Sequence, residues 1–213
     1  MLVLGLTGSI GMGKTTVANN FKRFGFPVHD SDAAVRELSG PQGLAFKDIV
    51  SAFPSVIANG AIDKGSLGSI VFQNRAKLSQ LEAILHPHVR SHRQNFLAHA
   101  SRARTKLVVL DVPLLFETGW DRHCDRVIVV SAPRFIQAAR VLARPGMTRD
   151  KLAVILERQM PDVEKCRRAD FIVRTGLSRI DNLRSVFKIL KIVRCRTGKK
   201  WPPFLLRPKF DKK

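Results

Sequence analysis

The chain has 213 residues, enough for one domain with an inserted lobe or lid, and a formal net charge of +20 that favours anionic partners. Hydrophobic residues make up 45% of it, yet no run approaches the roughly 20 apolar residues of a membrane-spanning helix. Met1 leads directly into an apolar run rather than a basic leader, and Cys124, Cys166 and Cys195 show no paired spacing; the reading expects a cytoplasmic protein with neither a disulfide framework nor a cysteine-built zinc site.

Leu2–Thr7 is a short apolar run of strand type, and Gly8-Ser9-Ile10-Gly11-Met12-Gly13-Lys14-Thr15 follows it. This is G-x-x-x-x-G-K-[ST] between a strand and a helical pattern, the setting a phosphate-binding P-loop requires. Glycines allow a tight turn whose backbone N–H groups meet phosphate oxygens, and the helix beginning near Lys14 turns its positive end toward the same anion. Lys14 suits the β- and γ-phosphates, and the Thr15 hydroxyl suits Mg²⁺. The pattern implies binding of a nucleoside triphosphate. The helix is expected to end at about Gly25.

Phe26–His29 reads as a second strand, followed by Asp30-Ser31-Asp32. Ligands of open α/β sheets sit beyond the carboxyl ends of strands. These carboxylates therefore suit a base or orienting group for an acceptor hydroxyl, or alternatively Ser31 or Asp32 caps a helix over Ala33–Leu38. From about Ala33 to Arg104 no strand run occurs. Leu78, Leu81, Leu85 and Val89 recur at helical spacing, with Pro87 expected to kink or break the helix and to set His86 at that break. The leucine stripe reads as core packing.

Lys106–Val112 is the third strand run, and Asp111 at its end suits either an Mg²⁺-holding carboxylate or a turn cap. Glu117 lies six residues on. Arg126–Val130 and Phe171–Val173 complete five strand runs. The alternation predicts an α/β fold, a parallel sheet covered on both faces by helices. Between the last two runs, Pro133–Arg168 is helical and arginine-rich, interrupted at Pro145-Gly146, with Thr148 as N-cap of a helix over Arg149–Met160. Arg140 and Arg144, four apart, are expected on one helix face, and with Arg158 are candidates to stabilise a transferring phosphoryl group.

The tail after Cys195 is basic and bears Pro202, Pro203 and Pro208. It reads as a solvated, irregular segment, with non-specific attraction to polyanions or a membrane surface as the alternative. No nucleic-acid motif and no platform of stacked aromatics occurs, so no specific nucleic acid is expected.

Several strings fall in one order: Gly8–Thr16; Asp30-Ser31-Asp32; Leu81 through Arg90 with His86-Pro87; Asp111-Val112-Pro113-Leu114-Leu115-Phe116-Glu117; and Arg158-Gln159-Met160-Pro161 through Ala169-Asp170-Phe171. Over about residues 1–190 the chain resembles the dephospho-coenzyme A kinases. The resemblance implies transfer of the ATP γ-phosphate to the ribose 3′-hydroxyl of dephospho-coenzyme A. It also implies a P-loop three-layer α/β/α fold with a five-stranded parallel sheet, a helical substrate lobe and a lid. On this reading 1–195 is the kinase domain: a core of about 1–32, 105–132 and 169–195, a lobe of about 33–104, and a lid of about 133–168. Residues 196–213 form the tail. Gly8, Gly11, Met12, Gly13, Lys14, Thr15 and Thr16 hold ATP together with Arg140, the lid arginine. Asp32 is the base or orienter, and His86, Leu115, Phe116 and Glu117 belong to the acceptor pocket. Thr15 and Asp111 are assigned to Mg²⁺, directly or through water. Arg174 departs from the pattern, standing after the last strand run where such kinases often carry Asp or Asn. Two rivals are a kinase for another acceptor, which the Asp111–Glu117 string opposes, and a nucleic-acid-associated ATPase, motivated only by charge.

Overall fold

The computed structural model describes residues 1–176 and 178–202. The order of elements is β1 (Leu2–Thr7), α1 (Lys14–Arg23), β2 (Val28–Asp30), α2 (Ser31–Leu38), α3 (Phe46–Ala52), β3 (Ile57–Ala58), β4 (Ala61–Ile62), α4 (Lys64–Phe72), α5 (Arg75–Arg102), β5 (Leu107–Asp111), β6 (Arg126–Ser131), α6 (Arg134–Leu142), α7 (Arg149–Glu157), α8 (Asp162–Arg168), β7 (Phe171–Arg174) and α9 (Arg179–Val193). The chain divides into two compact units, Met1–His29 with the residues from Ala100 onward, and Asp30–His99.

The first unit is built on a five-stranded sheet of order β2-β5-β1-β6-β7. β1 pairs in parallel with β5 on one side and β6 on the other, with Leu4 opposite Val109 and Arg126. β7 adds in parallel to β6, Val130 opposite Val173. The five strands coincide with the five apolar runs of the sequence to within two residues at each end. Each is apolar because helices or loops cover both faces of the sheet, which leaves no polar-facing side. Leu2, Leu4 and Leu6 are buried with Val17, Ala18 and Phe21 of α1 and Val186, Ile189 and Val193 of α9. On the opposite face Gly5 leaves room for two side chains: a Cβ there would come within 2.8 Å of both Leu115 Cδ2 and Cys124 Sγ. From β1 the chain passes first to the β2 side, and later crosses to β6 and β7 on the other. The carboxyl end of β1 is therefore the switch point of the sheet, where such folds bind ligands.

The second unit packs its own core from Leu38, Ala45, Ile49, Phe53, Val56, Val71 and Leu81, with Leu78, Leu85 and Val89 against it. The leucine stripe is core packing, as its spacing implies. Asp63 caps α4 by accepting from Gly65 N and Ser66 N, both at 3.1 Å.

Four expectations are corrected here. Pro87 neither breaks nor ends its helix: α5 runs unbroken from Arg75 to Arg102, so His86 lies mid-helix and exposed. The ring removes one backbone donor, at a cost of about 3 kcal/mol in a helix interior. The apolar residues packed before and after it, Leu81, Leu85 and Val89, hold the helix on both sides. The region also carries a hairpin, Ala58 opposite Ala61, turned by Asn59 at φ 49° and Gly60 at φ 76°. Positive φ at both central residues is what a two-residue Asn-Gly turn supplies. Finally, α6 stops at Leu142 before Pro145-Gly146, so Arg144 lies past its end and shares no helix face with Arg140. Arg174 is the last residue of β7 rather than a residue beyond it.

Candidate phosphate-transfer site

The loop Gly8–Gly13 leaves the carboxyl end of β1 and opens α1 at Lys14. Gly11 and Gly13 adopt φ of 76° and 86°, a region that costs an L-residue about 1–2 kcal/mol. Space is tight there as well: a Cβ on Gly11 would lie 2.5 Å from Val141 Cγ2, and one on Gly13 would lie 3.0 Å from Thr175 Oγ1.

The loop carbonyls are held from outside. Gln137 Nε2 of α6 donates to Ile10 O at 2.8 Å, and Arg140 Nη1 to Gly11 O at 3.4 Å. Thr175, fully buried just after β7, donates from Oγ1 to Met12 O. In a trans peptide the N–H points away from the preceding C=O. Anchoring the Ile10 and Met12 carbonyls on the α6 and Thr175 side therefore turns the Gly11 and Gly13 N–H groups to the other side, as an anion cradle requires. Met12 N closes a turn on Ser9 O at 3.2 Å, and Ile10 N donates to Gln159 Oε1 at 3.1 Å, tying the segment after α7 to the same loop. Arg140 is braced in turn, giving Nη2 to Thr175 O at 2.6 Å and Nη1 to Thr175 Oγ1 at 3.0 Å.

Lys14 Nζ forms an ion pair with Asp111 Oδ1, the carboxylate that ends β5. Asp111 is buried, and Thr15 and Thr16 in the first turn of α1 are exposed. After β5 the chain is fixed by Pro113 O, which accepts from Thr7 Oγ1 at 2.9 Å and from Lys165 Nζ at 3.4 Å. Leu115 and Phe116 are buried. Glu117 Oε1 accepts from Lys165 Nζ at 2.9 Å and Met160 N at 2.8 Å, so α8 and the turn before it hold the 113–117 segment.

The structure thus gathers Lys14, Asp111, Arg140 and the loop glycines, and connects Glu117 to the same framework through Pro113 and Lys165. Asp32 and His86 belong to the other unit. Asp32 stands exposed in the first turn of α2, and its neighbour Asp30 caps that helix by accepting from Ala33 N at 2.9 Å. The capping role weighed for Ser31 or Asp32 thus falls to Asp30. Gln137, Gln159, Lys165 and Thr175 escape sequence reasoning; only the string around Gln159 gave any signal.

A cavity of about 680 Å³ adjoins the loop, lined by Ser9, Met12, Ser131, Gln137, Asp162 and Arg174 among others. Ser131 Oγ donates to Asp162 Oδ2 at 2.7 Å. Burial, then the Asp162 charge, pushes the nearby Cys166 thiol up. Among the described residues no cluster of three or more His, Cys, Asp or Glu side chains is suited to a metal, and no helix is long and apolar enough to cross a membrane.

Comparison with known proteins gives the same reading. The dephospho-CoA kinase family profile matches residues 2–179. A dephospho-CoA kinase of Paramagnetospirillum magneticum is 57% identical over 165 residues, 78% of each chain. One from Rhodospirillum rubrum is 49% identical over 194 residues, covering 91% of this chain and 92% of its own. The solved structure of TT1252 from Thermus thermophilus superposes with a TM-score of 0.77 at 32% identity, covering 90% and 96% of the two chains. A Campylobacter jejuni dephospho-CoA kinase shares the fold at TM-score 0.61, 24% identity and 90% and 96% coverage. The chain belongs to the dephospho-CoA kinase family.

Proposed function

We propose that this chain transfers the γ-phosphoryl group of ATP to the 3′-hydroxyl of dephospho-CoA, giving CoA and ADP, the last step of CoA biosynthesis. The observation that carries the reading is the P-loop at the switch point of the sheet, its carbonyls pinned outward and Lys14 at its mouth, in a chain of this family. Phosphoryl transfer asks a protein mainly for positioning and for positive charge around the equatorial oxygens. In this reading residues Gly11 to Thr16, with the Lys14 ammonium, meet the ATP phosphates. Lys14 exchanges Asp111 for phosphate oxygens when nucleotide binds. Arg140, braced by Thr175, offers a guanidinium beside the loop. Asp32 accepts or orients the acceptor hydroxyl proton; that Asp30 does the capping supports this role. His86, Leu115, Phe116 and Glu117 are assigned to acceptor binding.

Mg²⁺ suits the donors present. The Thr15 hydroxyl and the Asp111 carboxylate are hard oxygens, and Mg²⁺ in kinases keeps most of its shell as water and phosphate. Bound there it would neutralise charge on the β- and γ-phosphates. We assign the enzyme to the cytoplasm, where ATP is supplied, with attraction to polyanions through its basic tail remaining non-specific.

The test is purified protein with Mg-ATP and dephospho-CoA, the product identified by mass and by phosphate position. A 3′-phosphorylated product, lost in Lys14→Ala, is expected. Near-normal turnover in Lys14→Ala overturns the P-loop assignment, and phosphorylation of another acceptor but not this one overturns the substrate.

A further inference from the structure

The end of the first unit opposite the phosphate loop carries a second feature. An apolar cavity of about 320 Å³ lies between the end of α1, the approaches to β2 and β5, and α9. Its floor is Phe26, Leu107, Leu190 and Val193; Phe24 and Phe187 stand at its edge, 36% and 47% exposed, with ring centroids 6.1 Å apart. Lys106, Lys191 and Arg194 complete the lining, all exposed. Phe187 and Lys191 are spaced i, i+4 on α9, and Arg194, three residues on, is its C-cap. Lys191 Nζ lies 4.9 Å above the Phe187 ring, an apolar surface with a cation at its margin.

The surrounding charge is one-sided. The stretches that line the groove, 19–27, 104–107 and 187–194, contain no acidic residue, while Lys22, Arg23, Arg104 and Lys188 add exposed cations; Asp125, at the same end of the sheet, is engaged by the N–H groups of Val3, Lys199 and Lys200. Leu2 pairs with Leu107 at the amino end of β1, and the phosphate loop begins at its carboxyl end. A six-residue strand, about 20 Å, separates the two. This charge therefore makes no direct contact with substrates at the loop. Exposed phenylalanines at the mouth of an apolar groove, ringed by lysine and arginine without acids, match the chemistry of a phospholipid surface: headgroup phosphate outside, acyl carbon within.

We propose that this amino-end face of the sheet docks on anionic phospholipid bilayers, with Phe24 and Phe187 entering the headgroup–acyl boundary and Lys106, Lys191 and Arg194 meeting headgroup phosphates. The association is peripheral and reversible. A nucleic acid would use the cations and leave the groove idle, so the groove favours lipid.

The test is co-sedimentation of the full chain with vesicles of phosphatidylcholine alone or mixed with phosphatidylglycerol. Binding is expected only with phosphatidylglycerol, falling steeply with salt. Each basic residue near such a surface contributes roughly fivefold, so Lys106→Gln/Lys191→Gln/Arg194→Gln should weaken partitioning about a hundredfold. Phe187→Ser should weaken it severalfold at fixed salt. Both variants alter exposed positions and should keep wild-type kinase rates, which also shows that they are folded; Lys191→Glu alone provides a second, milder charge variant expected to act in the same direction. Equal binding to both vesicle types, wild-type partitioning by the triple variant, loss of binding only on removal of residues 203–213, or preference for single-stranded RNA over the vesicles each overturns the proposal.

Discussion

Lys165 has no solvent exposure, and its ammonium rests on Glu117 Oε1 at 2.9 Å and Pro113 O at 3.4 Å; the Glu117 side chain is 18% exposed. Lys165→Met removes the cation and leaves a mostly buried carboxylate. Breaking a buried pair from one side costs about 3–5 kcal/mol. Because Met160 N still donates to Glu117 and some water reaches it, the lower end applies, about 3 kcal/mol. For a chain of this size that is a fall in Tm of about 6–12 °C. Glu117→Gln leaves the more deeply buried partner and should cost about 4–5 kcal/mol. Lys165→Met/Glu117→Gln removes both charges, and should recover at least about 3 kcal/mol relative to the sum of the single changes, because neither charge is stranded. Urea and thermal unfolding of the four proteins measure this. Additive losses would show that the two groups do not interact as the structure has them. Turnover separates the structural from the chemical role: if Glu117 also contacts the acceptor, stability returns in the double variant while kcat/KM for dephospho-CoA does not.

Asp32→Asn keeps shape and removes the carboxylate; turnover should fall about 10²-fold or more with little change in ATP affinity, and equal rates would leave Asp32 without a catalytic role. Gly13→Ala places a Cβ 3.0 Å from Thr175 Oγ1 at φ 86°, and should cost about 1–2 kcal/mol in urea unfolding and raise KM for ATP; an unchanged KM would show that the cradle tolerates displacement. For the cysteines, burial and Asp162 hold the Cys166 thiol protonated above the ordinary thiol range. Mass spectrometry after iodoacetamide treatment should therefore find exposed Cys195 labelled first and buried Cys124 last. Cys166 labelling should rise only at alkaline pH; rapid labelling at neutral pH would contradict its surroundings.

What is legible in this sequence is what local physics writes. The P-loop is legible because Gly11 and Gly13 must take φ above zero, and five strands are legible because burial on both faces leaves unbroken apolar runs. Element ends are less so: β2 begins at Val28, two residues after the apolar run opens at Phe26. Asn59-Gly60 is a readable turn, but its strands are two residues each and vanish under any criterion based on run length. Pro87 shows the converse error. A strong local breaker loses to packing that lies on either side of it, and no window of sequence around the proline contains that information.

The parts of the site that sequence reasoning does not reach have a common physical origin. Gln137, Gln159 and Thr175 act on the P-loop through its backbone, at separations of 127, 149 and 163 residues, and Arg140, which the sequence did single out, joins them at 129. A backbone carbonyl or N–H carries no residue type, so nothing in Ile10, Gly11 or Met12 announces the partner it needs, and glutamine or threonine is unremarkable at the other end. Only the closed sheet brings α6, the segment after α7 and the end of β7 to one loop. The consequence for function is specific. The glycines permit the cradle, but these distant side chains select which face of each peptide turns inward. A chain with an intact G-x-x-x-x-G-K-T and a misplaced Thr175 would keep the motif and lose the site. Thr175→Val therefore removes the donor to Met12 O and one Arg140 contact at nearly constant volume. It should raise KM for ATP while leaving the affinity for dephospho-CoA close to wild type; the reverse split would assign Thr175 to the acceptor side.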